Sequence, residues 1–155
     1  MLGVRNLRCE YKENPLGIDV LKPRISWKIQ SDARNTLQSA YQVQVSLEDE
    51  SFTTILWDTG RVESDQSINI EYAGIPLKSR SKYFFRVKIW DNKGNSSDWS
   101  NTASWETALL SNTEWAANWI TDDFGSDANV PQPCPMLRKG FTLKGAIKRA
   151  RVYAT

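Results

Sequence analysis

Histidine is absent from the chain. Nucleophilic triads and most catalytic zinc sites rely on imidazole as base or ligand, so both classes lose their usual residue. Cysteine is nearly absent as well, with only Cys9 and Cys134 far apart in the sequence. Two thiols at that separation read as free or buried groups rather than as a disulfide framework. No apolar run approaches the roughly 20 residues that a membrane-spanning helix needs. Charge of one sign is lacking too: twenty basic residues face eighteen acidic ones, for a net charge of +2. The one basic cluster is Lys144, Lys148, Arg149 and Arg151 near the C-terminus. A nucleic-acid surface concentrates charge on one face, and this spread excludes that partner.

What remains is the composition of a soluble globular protein, 40% apolar and 25% charged over 155 residues, with a mean hydropathy of −0.52. The first residues, Met1 to Glu10, lack the continuous apolar core of a secretory leader. As written the chain reads as cytoplasmic, or as periplasmic or secreted if a leader has been removed. Asp122, Asp123 and Asp127 form an acidic stretch without the alternation of a calcium loop, so no metal and no cofactor is expected.

Strand-length runs with turn signals between them dominate the first 110 or so positions. Gly3 to Tyr11 reads as a first strand, followed by an Asn14-Pro-Leu-Gly-Ile-Asp19 turn. Arg24 to Ile29 alternates with Ile25, Trp27 and Ile29 on one face, making Trp27 the core tryptophan. Tyr41, Val43, Val45 and Leu47 alternate with polar residues in the next strand. Ile55 to Asp58, Ser67 to Tyr72, Tyr83 to Trp90 and Asp98 to Thr107 complete a count of seven. In the sixth, Tyr83, Phe85, Val87 and Ile89 face inward, and Phe84, Arg86, Lys88 and Trp90 outward. A tyrosine at the start of that strand marks a tyrosine corner, its hydroxyl returning to upstream backbone. Leu77, six residues earlier, plugs the core beneath it. The predicted fold is all-β, a seven-stranded sandwich of the fibronectin III or immunoglobulin type over residues 1–110.

Ser111-Asn-Thr-Glu114 is a capping box, predicting a short helix with Trp115 and Trp119 on one face. Residues 111–135 then comprise that helix and a linker, extended by Pro131, Pro133 and Pro135. Residues 136–155 look like the start of a second β domain, with strands over Met136–Leu143 and Ile147–Thr155. Two such strands form an unfinished sheet, open to completion by following chain or by a second copy.

Several runs, in order, resemble one family. They are Arg8-Cys-Glu-Tyr11, Asn14-Pro-Leu-Gly-Ile-Asp19, Pro23-Arg-Ile-Ser-Trp27, Ala40-Tyr-Gln-Val-Gln-Val45 and Leu56-Trp-Asp-Thr-Gly60. Ser96-Ser-Asp-Trp-Ser100, Trp105-Glu-Thr-Ala-Leu-Leu110 and Trp115-Ala-Ala-Asn-Trp-Ile120 follow. The set is similar to the amino terminus of bacterial α-L-rhamnosidases of glycoside hydrolase family 78. Leu137 to Lys144 and Ala150 to Thr155 resemble the first strands of that family's next, jelly-roll-like domain. The resemblance implies a longer enzyme that hydrolyses terminal α-L-rhamnosyl linkages with inversion. Such chemistry needs two carboxyl groups about 6.5–9.5 Å apart. The resemblance places them on a helical barrel downstream, so no catalytic residue is expected in this chain. It would act as a noncatalytic accessory module, inactive alone, with the downstream domains of its own polypeptide as partners.

The competing reading is a freestanding module that binds a polysaccharide or a surface protein. Trp57, Trp90 and Trp99 are its candidate sugar-stacking residues, because apolar sugar faces pack on flat aromatic rings. Lysine and arginine stems laid over the same rings would instead make an ordinary sandwich ladder. Asp91, Asp98 and Glu106 are the carboxylates most able to face one another across strands, though solvated acids are their plainer role. Trp115, Trp119 and Ile120 are expected to pack between domains.

Overall fold

The computed structural model describes residues 1–120, 134, 136–147 and 149–154. It divides into two units, Met1–Glu114 and Trp115–Thr155, each described by itself.

The first unit is a sandwich of two antiparallel sheets. One holds β1 (Leu2–Cys9), β2 (Arg24–Ser31) and β6 (Ile70–Glu71), in the order β1-β2-β6. The other holds β3 (Gln38–Leu47), β4 (Ile55–Asp58), β5 (Val62–Glu63), β7 (Lys82–Asp91) and β8 (Ala103–Glu106), in the order β4-β3-β7-β8 with β5 also on β3. β4 and β5 flank the same edge of β3, Trp57 opposite Val45 and Val62 opposite Tyr41. They form one edge strand broken at Thr59, whose amide still reaches the Val43 carbonyl at 3.1 Å. Merging the two gives the expected seven strands.

Period-two patterning decides which residues go inside. In β7, Tyr83, Phe85, Val87 and Ile89 are buried and their neighbours half-exposed, as a strand with one face on the core requires. In β3, Tyr41, Val43 and Val45 meet them across a register running from Leu47↔Tyr83 to Ala40↔Trp90. Trp27, Ile25 and Cys9 close the core from the opposite sheet. Trp27 sits edge-on to Tyr41 at 5.3 Å and donates its indole N–H to Gln38 Oε1 at 2.9 Å. Gln38 in turn donates to the carbonyls of Ser64 and Gln66, so the buried amide is satisfied.

Three expected strands are shorter than the hydropathy pattern suggests. The run Ser67–Tyr72 forms a regular strand only over Ile70–Glu71, with Asn69 just before it in a left-handed conformation (φ 56°) and the Ser67 carbonyl taking the Trp27 amide at 2.9 Å. Before β8, Ser97 and Ser100 turn their hydroxyls on β7 and accept the Ile89 and Val87 amides at 3.1 and 3.0 Å. Side-chain oxygens there replace part of the strand ladder. β1 shifts register between Arg5 and Arg8, with Asn6 left-handed (φ 51°).

The loop before β2 is locked by charge. Arg24 donates Nε and Nη2 to the two oxygens of Glu10 at 3.1 and 2.7 Å, and its backbone amide donates at 2.6 Å. The Arg24 guanidinium also lies 5.1 Å from the Tyr11 ring centre. This two-pronged pair is the strong kind of carboxylate contact.

The regular structure ends in one 3₁₀ turn, Asn112–Glu114. The helix expected to carry Trp115 and Trp119 on one face does not form; a three-residue turn is too short to propagate without packing. The described residues of 136–154 hold no strand, contrary to the hairpin expected there. Two strands without a third partner are marginal in water. The linker over 121–133, its acidic stretch Asp122, Asp123 and Asp127, and Pro135 lie outside the described residues.

Gly74 lies over the Tyr72 side chain, where an added Cβ would overlap the Tyr72 hydroxyl and stand 2.8 Å from Trp57 Cβ. Tyr72 is buried and pinned, its hydroxyl donating to the Ile75 carbonyl at 2.9 Å. Gly74→Ala is therefore expected to destabilise the sandwich by about 1–3 kcal/mol through overpacking. Urea unfolding followed by tryptophan fluorescence measures it; an unchanged midpoint would contradict the crowding.

Candidate functional site, the tyrosine corner and the outer sheet face

The corner forms as the sequence predicts. Tyr83 is buried at the start of β7, and its hydroxyl accepts the Lys78 backbone amide at 2.7 Å. Leu77 packs against the core beside it. The Tyr83 ring stacks on Trp105 of β8, centroids 5.2 Å apart and planes 13° apart. Tyr72 and Phe85 meet the same indole at 6.1 and 5.6 Å, so four aromatic rings from β7, β8 and the residue after β6 share one contact set. Burial pushes the Tyr72 hydroxyl up to about 12, with Tyr83 adding to it, and burial raises Tyr83 as well.

A polar seam joins this corner to the chain that leaves β8. The buried Thr107 hydroxyl donates to the Lys78 carbonyl at 2.6 Å and accepts the Ser81 amide at 3.0 Å. The Arg80 amide reaches the Ala108 carbonyl at 3.1 Å. Glu114 accepts from the Ser79 hydroxyl and from the Leu110 and Ser111 amides at 3.2 and 3.1 Å. The capping box is thus half present. Glu114 reaches back as expected, while the Ser111 hydroxyl takes the Thr113 amide at 3.3 Å instead of the one after it. The Ser79 hydroxyl holds the Glu114 carboxyl below its ordinary value.

All three stacking candidates are half-buried. Arg61 lies over the Trp90 ring at 4.9 Å and Lys88 at 5.4 Å. The Arg86 guanidinium lies 4.5 Å from Trp99 and 4.3 Å from Phe52. Trp57 packs edge-on to Tyr72 at 5.0 Å. Arg86 also donates Nε and Nη2 to Gln44 Oε1 at 2.9 and 2.7 Å. Gln44 and Gln42 donate onward to Asp58 at 2.7 and 2.8 Å. Burial opposes ionisation of Asp58, but these amides, the Gly60 amide and nearby Arg86 outweigh it and lower its pKa. Arg86 on β7 thus gathers Phe52 from the loop before β4 and Trp99 from the loop before β8, a contact that strand alternation does not predict.

Asp91 and Glu106, two of the three tempting carboxylates, do not meet. Asp91 ends β7, and Glu106 pairs with Lys82 at its other end, about 30 Å away at the usual strand rise. Asp91 is a turn staple, accepting the Lys93 and Asn95 amides at 2.9 and 2.8 Å and the Asn95 side chain at 2.9 Å. Gly94 inside that turn is left-handed (φ 84°), the conformation glycine adopts freely. Among the described residues no three metal-ligating side chains cluster, and both cysteines are free. Burial, then Glu10, pushes the Cys9 thiol up to about 12, which makes it inert. A cleft of about 330 Å³ between β1 and β8 is lined by polar residues including Arg5, Glu13, Asn14 and Asn101, and no tryptophan borders it. In the second unit Trp119 and Ile120 are 91% and 73% exposed, and Trp115 at its start is 38% exposed.

Removing the corner hydroxyl by Tyr83→Phe leaves the Lys78 amide without its acceptor. The expected loss is about 1–2 kcal/mol, read as a lower urea midpoint at unchanged slope. A second expectation concerns acid. Glu10, Asp58, Asp91 and Glu114 all have lowered folded-state pKa values. Between those values and the ordinary carboxylate range of about 4, the unfolded chain binds more protons than the folded one. Stability is therefore full above that range and declines as pH falls through the folded values. Urea midpoints at pH 7, 4 and 3 should decrease in that order; a flat profile would contradict the carboxylate locks.

Residues 4–111 match the family described as the Rha78A-like, N-terminal immunoglobulin domain. An α-L-rhamnosidase of Streptomyces avermitilis is 43% identical over 121 residues, covering 77% of this chain and 12% of that protein. One from Formosa agariphila is 37% identical over 151 residues, covering 92% of this chain and 16% of that protein. Among solved structures, the Streptomyces avermitilis α-L-rhamnosidase complexed with L-rhamnose superposes with a TM-score of 0.75 at 42% identity, over 78% of this chain and 12% of that one. The α-L-rhamnosidase from Dictyoglumus thermophilum gives 0.73 at 38% identity, over 79% and 14%. The chain thus spans only 12–16% of the length of these relatives. The immunoglobulin-like sandwich, its tyrosine corner and the match over residues 4–111 agree: the chain belongs to the Rha78A-like N-terminal immunoglobulin domain family.

Proposed function

We propose that this chain is the noncatalytic front module of an α-L-rhamnosidase, and that its work is structural. The observation that carries the reading is the pairing of 92% coverage of this chain with 16% coverage of a rhamnosidase relative. Similarity runs beyond the sandwich, yet most of the relative lies elsewhere. On this reading hydrolysis belongs to two carboxyl groups in the remainder of the parent protein. The module holds later domains in register.

Trp115, Trp119 and Ile120 are its proposed packing residues, since each leaves a large apolar side chain exposed. At about 25 cal/mol per Å², a few hundred Å² of such burial favours docking by several kcal/mol before ordering costs. The ladder of Arg61, Lys88 and Arg86 over Trp90 and Trp99 supports a structural role for those rings rather than sugar stacking.

The test is hydrolysis of p-nitrophenyl α-L-rhamnoside by the full-length parent and by this chain alone. Turnover is expected only from the parent. A silent parent would remove the rhamnosidase assignment, and turnover by the isolated chain would overturn the noncatalytic role.

A further inference from the structure

The cleft between β1 and β8 gathers polar side chains that the sandwich itself does not use. Its volume of about 330 Å³ lies at the low end of the roughly 300–1,000 Å³ range of small-molecule sites. Arg5, Asn6, Glu13, Asn14, Asn101 and Thr102 supply its polar groups, over an aliphatic part made by Val4, Leu7 and Ala103. Among the described residues, no hydrogen bond or ion pair engages the side chains of Arg5, Asn6, Asn101 and Thr102. Asn14 uses only its Oδ1, on the Ser104 amide at 2.8 Å and hydroxyl at 3.5 Å. Glu13 stands 3.7 Å from Arg8, beyond hydrogen-bond reach.

The backbone bends to make this cleft. On β1, Asn6 and Leu7 together face Trp27 of β2, between the pairs Arg5↔Lys28 and Arg8↔Ser26. The strand thus carries one extra residue, with Leu7 on the core side of the bulge and Asn6 on the exposed side. Asn6 and Asn14 are both left-handed, at φ 51° and 47°, which asparagine tolerates better than most residues with a Cβ. Such bulges re-aim side chains beside binding sites. Blunting the β1 edge against other strands accounts for the bulge alone. It does not account for amides from β1, the loop before β2 and the loop before β8 meeting at one cleft.

The donor set selects the ligand. Arg5 only donates and Glu13 only accepts, while three amides and a hydroxyl do both. The two charges cancel, so neither an anion nor a cation gains from the set as a whole. A sugar hydroxyl both donates and accepts, and neighbouring hydroxyls match the paired nitrogen and oxygen of a carboxamide. The C–H faces of the same ring cover Val4, Leu7 and Ala103. We infer that this cleft binds one neutral pyranose unit of a saccharide, with Arg5, Asn6, Asn14 and Asn101 as its hydrogen-bonding residues. The site is separate from the tryptophans of the outer sheet face, and it does not rest on the rhamnosidase reading.

NMR titration of this chain tests it, with the methyl glycosides of L-rhamnose, D-glucose and D-galactose each taken to tens of millimolar. The side-chain amide signals of Asn6, Asn14 and Asn101 should shift saturably with at least one of them. Asn6→Gly keeps a left-handed backbone and removes the amide; Asn101→Ala truncates an exposed side chain. Each should weaken binding about fivefold, with the urea midpoint of Asn6→Gly no lower than that of the parent sequence. No saturable shift with any of the three glycosides overturns the site. Saturation that moves the Trp90 and Trp99 indole signals instead, or that survives both substitutions, also overturns it, because the sugar then lies elsewhere. Binding of methyl glucuronide but of no neutral glycoside overturns the neutral ligand.

Discussion

The stack of Tyr83 on Trp105, with the Tyr83 hydroxyl holding the Lys78 amide, is the contact on which the sandwich depends. It lies where the chain crosses from the sheet of β6 to the sheet of β7, and a crossover between layers has no ladder of its own. The crossover also contains Arg80 in a left-handed conformation (φ 57°), which costs about 1–2 kcal/mol for a side chain with a Cβ. That cost is offset by bonds to neighbours: Arg80 N–H to Ala108, Ser81 N–H to Thr107 Oγ1, and Thr107 O–H to Lys78. The corner is consequently not a local turn. It is a joint between β7 and the segment that follows β8, and weakening either side loosens the other.

Polar side chains finish many backbone bonds that the sheets leave open. Ser97 and Ser100 accept β7 amides, Thr59 Oγ1 accepts the Val43 amide, and Asn14 Oδ1 accepts the Ser104 amide at 2.8 Å. This explains the pattern of what the sequence revealed. Alternation made the core-facing residues of β7 and of Tyr41 to Val45 in β3 legible, since a half-buried strand must repeat every second position, but not the start of β3 at Gln38 or the burial of Gln44 and Ser46. The tyrosine corner was legible because its spacing is fixed by geometry. The break at Asn69, the split of one edge into β4 and β5, and the shortening of β8 were not. Each arises where a hydroxyl or a left-handed backbone replaces a ladder bond, and hydropathy carries no trace of that exchange.

The same limit applies to the outer face. Outward placement of Arg86 and Trp90 follows from alternation on β7 alone. The covering of Trp99 by Arg86, with Phe52 on the other side of the guanidinium, depends on loops from different parts of the chain. Glu10 and Arg24 stand fourteen residues apart with no periodicity linking them, yet make the tightest ion pair in the loop before β2. Asp91 and Glu106 looked like neighbours because their strands are adjacent. Antiparallel register puts them at opposite ends of β7. The short helix failed for a different reason: capping chemistry was present at Glu114, but a cap cannot propagate a helix without a face to bury.

Placed on the structure, the runs up to Leu110 that resemble the rhamnosidase family turn out to be locks of the sandwich. Arg8 to Tyr11 and Pro23 to Trp27 supply the Glu10–Arg24 pair, Cys9 and Trp27 of the core. Ala40 to Val45 and Leu56 to Gly60 supply the Gln42, Gln44 and Asp58 network. Ser96 to Ser100 supplies the hydroxyls that pair with β7, and Trp105 to Leu110 the corner stack and the seam. Each of these runs has a reason to exist in any chain that must build this particular sandwich. Similarity in this region therefore reports the architecture of the module, and a shared fold alone does not fix a reaction. What these locks determine is mechanical: the corner seam fixes residues 107–114 where they leave the sandwich.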